Sequence, residues 1–259
     1  MIYRCVLLLW LLASQSLMAE PIRIAVAANF SAPLQALVEA YQHQHPQADI
    51  RISSGSSGKL YAQIQHGAPF DVLLSADRHK PEALVKQGLA SRAHTYAIGR
   101  LALWSAQEDI DVLARLKQGH VERLAMANPR LAPYGLAAQQ TLLALNLPAA
   151  ISQGIRERTV LGENVSQTHQ FVATANADMG FVAVSHIHRA QQTAMQWPGS
   201  VWLVPDVLHQ PIRQDLAIIR HRRQSQQQYQ QAQQLVQFLL SAKAQPLLTA
   251  YGYRSPHAD

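Results

Sequence analysis

The sequence predicts an α/β protein of two lobes, with mixed, mainly parallel sheets joined by a two-stranded hinge. Three observations carry this. From Ile22 onward short apolar runs alternate with amphipathic stretches, the pattern of strands whose sheet is covered by helices. The alternation restarts at Tyr96 to Trp104, as if a second sheet began there. A late apolar run, Gln214 to Arg220, leads into two C-terminal helices and reads as the chain's return to the first lobe. The division that follows is 20–97 with 213–259 for one lobe and 98–212 for the other, after a leader of residues 1–19.

In order, Ile22 to Ala27 is a strand. Asn29 and Ser31 cap a helix whose apolar residues Leu34, Leu37, Val38 and Tyr41 fall on one face, with Pro33 in its first turn, where a missing N–H costs nothing. Asp49 to Ile52 is a second strand, followed by a Ser/Gly loop and a helix through Gln65. Phe70 to Leu74 is a third, with Asp77 and Pro81 opening the next helix. In the second half, Arg123 to Ala127 is a strand before a helix from Tyr134 to Leu145. Thr159 to Leu161 is another, before a helix capped by Asn164. Gly180 to Val184 and Val201 to Val204 complete the strands of this half. Gln224 to Gln234 is glutamine-rich, but Leu235, Val236, Leu239 and Leu240 give it an apolar stripe, so it is a helix with a solvated face.

The N-terminus is a leader, not core. Arg4, the apolar stretch Cys5 to Leu12 and the small residues up to Ala19 form a secretory signal peptide with cleavage expected after Ala19, too short to anchor the chain. Cys5 is the only cysteine and leaves with it, so the exported protein has neither thiol nor disulfide. Arg4 leaves too: Lys+Arg falls from 22 to 21 against 16 Asp+Glu, a net charge of +5. The basic residues are scattered, with only Arg220, Arg222 and Arg223 clustered, and they are not interleaved with aromatics. This excludes nucleic acid as a partner and suits mild steering of small anions.

Candidate binding residues gather where strands run into helices, at Ala28-Asn29, Ser56-Ser57-Gly58, Pro133-Tyr134-Gly135 and Asn164-Val165. Such helix starts carry free N–H groups and bind anions without a fixed positive charge. Gly55 to Lys59 is not a P-loop: two residues, where the motif needs four, separate Gly55 from Gly58-Lys59, and Leu60 stands where a Ser or Thr is needed. Nor does it have the spacing of a nucleophile elbow. Lys59 is expected to be a solvated first-turn residue. The 12 histidines, including His43/His45 and His186/His188, form no metal-binding pattern and are expected at the surface. Asp71 and Asp77 read as a strand-edge residue and a helix cap, not as a catalytic pair, and no catalytic constellation is legible.

The segments SGSSGKLYAQIQHGAPFDVLLSAD, VAANFSAPL, GENVSQ and AQPLLTAYGY together resemble the periplasmic molybdate-binding protein (ModA) family, in the expected order over nearly the whole exported chain. The resemblance implies a type II periplasmic-binding-protein fold, closing on molybdate or tungstate and delivering it to an inner-membrane ABC permease, as a monomer without cofactor or enzymatic activity. It also implies the ligand set: Asn29, Ser57, and the backbone N–H groups of Tyr134 and Val165, holding the oxyanion through its oxygens with no direct metal ligand. The chain departs from the enteric members at two positions. Asn29 stands where they have serine, and its side-chain amide is expected to supply the donor, as in another branch of the family. Ala183 stands where they have a ligand tyrosine.

Molybdate at neutral pH is a dianion with four acceptor oxygens and no proton to donate, so a site of donors alone suits it. The implied groups supply about six charge-assisted hydrogen bonds. Two alternatives remain at this point: a receptor for another tetrahedral oxyanion such as sulfate, and an exported serine hydrolase with Ser57 as nucleophile. The hydrolase lacks a general base at a recognisable spacing.

Overall fold

A computed structural model describes residues 20–188 and 197–256; the expected leader lies outside them. The first half runs β1 (Ile22–Ala27), a 3₁₀ turn (Ala28–Phe30), α1 (Ser31–Gln44), β2 (Ile50–Gly55), α2 (Ser57–Gln65), β3 (Val72–Leu74), α3 (His79–Lys86) and β4 (His94–Gly99). The second half runs β5 (Leu101–Ser105), α4 (Val112–Gln118), β6 (Leu124–Ala127), α5 (Pro133–Ala144), α6 (Ala149–Glu157), β7 (Thr159–Gly162), α7 (Val165–Ala173), β8 (Met179–Ala183), α8 (Val184–Ile187) and β9 (Ser200–Leu203). The chain closes with β10 (Ile212–Ile218), α9 (Gln226–Leu239) and α10 (Gln245–Ala250).

These make two five-stranded sheets, in the orders β2-β1-β3-β10-β4 and β7-β6-β8-β5-β9, so each lobe has its own sheet. Both are mixed. Alternation predicts a parallel majority, yet parallel and antiparallel pairings are equal in number. The reason is the hinge: β10 crosses back from the second lobe and pairs antiparallel with β3 and β4, and β5 pairs antiparallel with β8 and β9.

The apolar run Tyr96 to Trp104, where the expected lobe division falls at 97/98, is shared by two strands. β4 ends at Gly99 in the first sheet, and β5 begins at Leu101 in the second. Continuous apolar sequence fits both, because each sheet is covered on both faces. In β1, Ile22, Ile24 and Val26 enter one core while Ala25 enters the opposite one. In β5, Leu101 and Leu103 divide in the same way from Ala102 and Trp104. Helices α4 and α6 are not foreseen from the sequence, although Asp111 caps the first by accepting from Ala114 N at 2.9 Å.

The topology sets the site. The C-terminal ends of β1, β2, β6 and β7 carry the four helix-start junctions, and the two sheets bring these ends face to face across the hinge.

Candidate functional site

One small cavity, about 10 Å³, is walled by Ala27, Ala28, Asn29, Gly55, Ser56, Ser57, Ala76, Ala132, Pro133, Tyr134, Asn164 and Val165. Asn29, Ser57, Tyr134 and Val165, named from the sequence, are therefore brought together from four junctions in two lobes. None of the twelve wall residues is charged.

The helix starts distribute their free N–H groups selectively. At α7, Asn164 Oδ1 accepts from Ser166 N and Gln167 N, both at 3.0 Å, and leaves Val165 N–H unclaimed. At α2, Ser56 Oγ takes Lys59 N–H at 3.4 Å and Leu131 O takes Gly58 N–H at 2.9 Å, which leaves Ser57 N–H. At α5, Pro133 has no N–H, while Ala132 O accepts from Gly135 N and Leu136 N at 2.9 and 3.1 Å. Tyr134 N–H remains. Among the described residues, no protein oxygen accepts from these three groups. Asn29, inside the 3₁₀ turn Ala28–Phe30, adds a fourth helix-start N–H. The Ser57 hydroxyl accepts from Ala76 N at 3.0 Å, so its own hydrogen is free to point into the cavity. Three helices of nine, twelve and nine residues thus aim their positive ends at one uncharged pocket.

The Asn29 side chain does not behave as the sequence suggests. It neither caps α1 nor serves the cavity, because its Nδ2 donates to Gln214 Oε1 and to Tyr253 Oη, each at 2.9 Å. With both amide hydrogens committed inside the protein, the backbone N–H is the donor that Asn29 has left. Lys59 is the exposed first-turn residue that the sequence suggests, and it does not line the cavity. Its Nζ lies 3.2 Å from Glu163 Oε1 in the opposite lobe, an exposed pair that bridges the cleft rim and contributes little in water.

Further contacts between lobes flank the cavity. Ser166 Oγ donates to Ala28 O at 3.2 Å and Ser185 Oγ to Asn29 O at 2.9 Å. Ser185 lies two residues beyond Ala183, which is fully buried at the end of β8. Sequence reasoning missed Ser166, Ser185, Gln214 and Tyr253, since no local spacing links them to Ala28 or Asn29.

His186 is not the surface histidine expected. Its Nε2 lies 3.0 Å from Ser166 Oγ, and its Nδ1 is shut away without a partner. Burial, reinforced by nearby His169, pushes its pKa down to about 4. The unfolded chain, titrating near 6.5, therefore binds the proton first. Stability should fall as pH drops from about 6.5 to 4, by up to about 3 kcal/mol from this group. Denaturant titrations at pH 7 and 4.5 should show a smaller acid loss in His186→Asn than in the parent; equal losses would contradict the assignment. Among the described residues, no group of three or more His, Cys, Asp or Glu is placed to hold a metal ion. Asp71, fully buried, accepts from Arg23 N at 2.7 Å, from the Gln224 side chain at 3.0 Å and from the Gln228 side chain at 3.3 Å, and lies 3.0 Å from His221 Nε2, a structural set that does not include Asp77, which accepts from Lys80 N at 2.9 Å.

Two lobes joined by a hinge, with helix-start donors meeting across a narrow cleft, define a solute-binding protein of the type II periplasmic fold. Residues 22–254 match the family model of bacterial extracellular solute-binding proteins. The chain is 41% identical over 239 residues to the molybdate-binding protein ModA of Azotobacter vinelandii, covering 91% of this chain and 90% of that one. It is 34% identical over 232 residues to ModA of Rhodobacter capsulatus, covering 88% and 86%. The solved periplasmic molybdate-binding protein of Azotobacter vinelandii matches the structure with a TM-score of 0.82 at 36% identity, over 91% of this chain and 100% of that one. The chain belongs to the ModA family of bacterial extracellular solute-binding proteins.

Proposed function

We propose that this protein captures molybdate, and tungstate with it, between its lobes in the periplasm and delivers the oxyanion to an inner-membrane ABC permease. Residues 1–19 are removed on export, and the exported chain acts as a monomer without a cofactor. The two jaws are the lobes expected at 20–97 with 213–259 and at 98–212, with β4 running on to Gly99 and β10 starting at Ile212 in the first sheet. Asn29 binds through its N–H, Ser57 through its N–H and hydroxyl, and Tyr134 and Val165 through their N–H groups.

One observation carries this reading: the cavity wall offers donors from both lobes and no charged group. A fully deprotonated tetrahedral dianion has acceptors on every side and matches such a wall. Phosphate carries a proton at neutral pH, and its O–H finds no carboxylate there to accept it. Sulfate has the right charge but is smaller, so a cleft closed on molybdate stretches its hydrogen bonds. Tungstate has nearly the same size and charge as molybdate and binds alike. The kinship with the ModA proteins of Azotobacter vinelandii and Rhodobacter capsulatus supports the same ligand.

A binding role is preferred over a hydrolytic one on geometry. Among the described residues, Ser57 Oγ contacts a backbone N–H and no base. The Ser–His contact present, Ser166 with His186, lies off the cavity wall, and His186 Nδ1 has no carboxylate to orient it.

The test is a thermal-shift and calorimetric panel of molybdate, tungstate, sulfate, phosphate and vanadate. Molybdate and tungstate at a hundredfold excess over Kd should each stabilise the fold by about 2.7 kcal/mol. Sulfate should do so weakly and phosphate not at all. No stabilisation by micromolar molybdate would remove the proposal.

A further inference from the structure

Building on that reading, we infer that Gln214 is a positioning residue that joins the two anion-binding loops and makes lobe closure and ligand retention a single event. Asn29 and Tyr134 stand in opposite lobes, and each is assigned to the ligand through its backbone. Their side chains are therefore free for another purpose. Both end on Gln214, a fully buried residue of the returning hinge strand β10. Gln214 Oε1 accepts from Asn29 Nδ2 at 2.9 Å and from Tyr96 Oη at 3.0 Å, while Gln214 Nε2 donates to Tyr134 Oη at 3.2 Å.

The orientation of the Gln214 amide follows from its neighbours. Tyr253 Oη lies 2.8 Å from Asn29 O and 3.1 Å from Ser185 Oγ, so its one hydrogen is used there. It must then accept from Asn29, which fixes Nδ2 on that side and directs it to Gln214 Oε1 as well. Gln214 Nε2 is left for Tyr134. The hinge strand β4 makes room for this contact: a side chain at Gly99 would overlap Tyr134 Oη and sit 2.5 Å from Gln214 Nε2.

The consequence is a coupling between jaws. If the second lobe swings away, Tyr134 Oη leaves Gln214, and a buried donor and a buried acceptor lose their partners together. Bound anion holds Asn29 N–H and Tyr134 N–H in one frame, and that frame is the one in which Gln214 reaches both side chains. Gln214 touches no ligand. It acts through the residues that do.

A double-mutant cycle separates this from simple packing. Tyr134→Phe and Gln214→Met keep volume and remove the polar contact; with the double variant and the parent they complete the cycle. Molybdate affinity is read by calorimetry, dissociation by stopped flow, and ligand-free stability by thermal unfolding. Each single variant should raise Kd about five- to tenfold, chiefly through faster dissociation. The double variant should be no more than about twofold worse than the weaker single one. Independent, multiplying effects on Kd would overturn the coupling, as would parental affinity in Tyr134→Phe, which decides the matter alone if Gln214→Met does not fold. Absence of molybdate binding by the parent protein would overturn the ligand assignment and the coupling together. Parental binding with uncoupled variants would overturn the coupling only.

Discussion

Replacing Ser57 with alanine is expected to weaken molybdate binding about tenfold or more, measured by calorimetry on the exported chain. Ser57 is 1% exposed and opens α2 at the cavity wall. Its Oγ already accepts from Ala76 N, so its hydrogen has one useful direction, toward a ligand oxygen. A hydrogen bond to a charged acceptor contributes roughly 1.5–3 kcal/mol, and about 1.4 kcal/mol is a factor of ten. The same substitution strips Ala76 N–H of its acceptor, so stability should fall by about 1 kcal/mol without ligand. Unchanged affinity in a folded Ser57→Ala protein would take Ser57 out of the site.

Gly135→Ala is expected to disrupt both the fold and the site, through sterics alone. A methyl group at Gly135 would overlap the Ala127 carbonyl oxygen and lie 2.7 Å from Ala127 C and 2.9 Å from Asn128 C. These are backbone atoms at the end of β6, and they cannot rotate aside as a side chain would. The first turn of α5 must therefore lift, taking the neighbouring Tyr134 N–H out of line with the other donors. Overpacking of this kind costs about 1–3 kcal/mol, and the rigid surroundings place this case at the upper end. Denaturant unfolding and calorimetry together test it, and parental values in both would refute the close approach.

Much of the candidate cavity's wall was legible because helix-start chemistry is local. Asn164 caps α7 by accepting from residues two and three positions on, a pattern that four letters of sequence reveal. Pro133 marks its helix start in the same way. Asn29 shows the limit. As a polar residue before a helix it reads as a cap or a ligand amide, yet its side chain serves Gln214, 185 residues away, and Tyr253, 224 residues away. Lys59 is solvated as its position suggests, but its exposed partner Glu163 was not legible because it comes 104 residues later. Within Tyr96 to Trp104 the expected division at 97/98 falls two residues before the step that follows Gly99, because nothing in an apolar run says which of two sheets each residue joins. His186 reads as a surface histidine, since only tertiary packing encloses its ring.

The sequence by itself determined where helix starts occur: small, hydroxyl-bearing or proline-led turns, in an uncharged setting. Capping depends on contacts within about one helical turn, so it is written in neighbouring letters. Tertiary structure alone decided how these starts meet. It set the parity of parallel and antiparallel pairings, the step between sheets after Gly99, and the commitment of the Asn29 amide to a buried network around Gln214. Those outcomes rest on which distant groups fill one another's hydrogen-bonding capacity once water is excluded, and no local pattern encodes that choice.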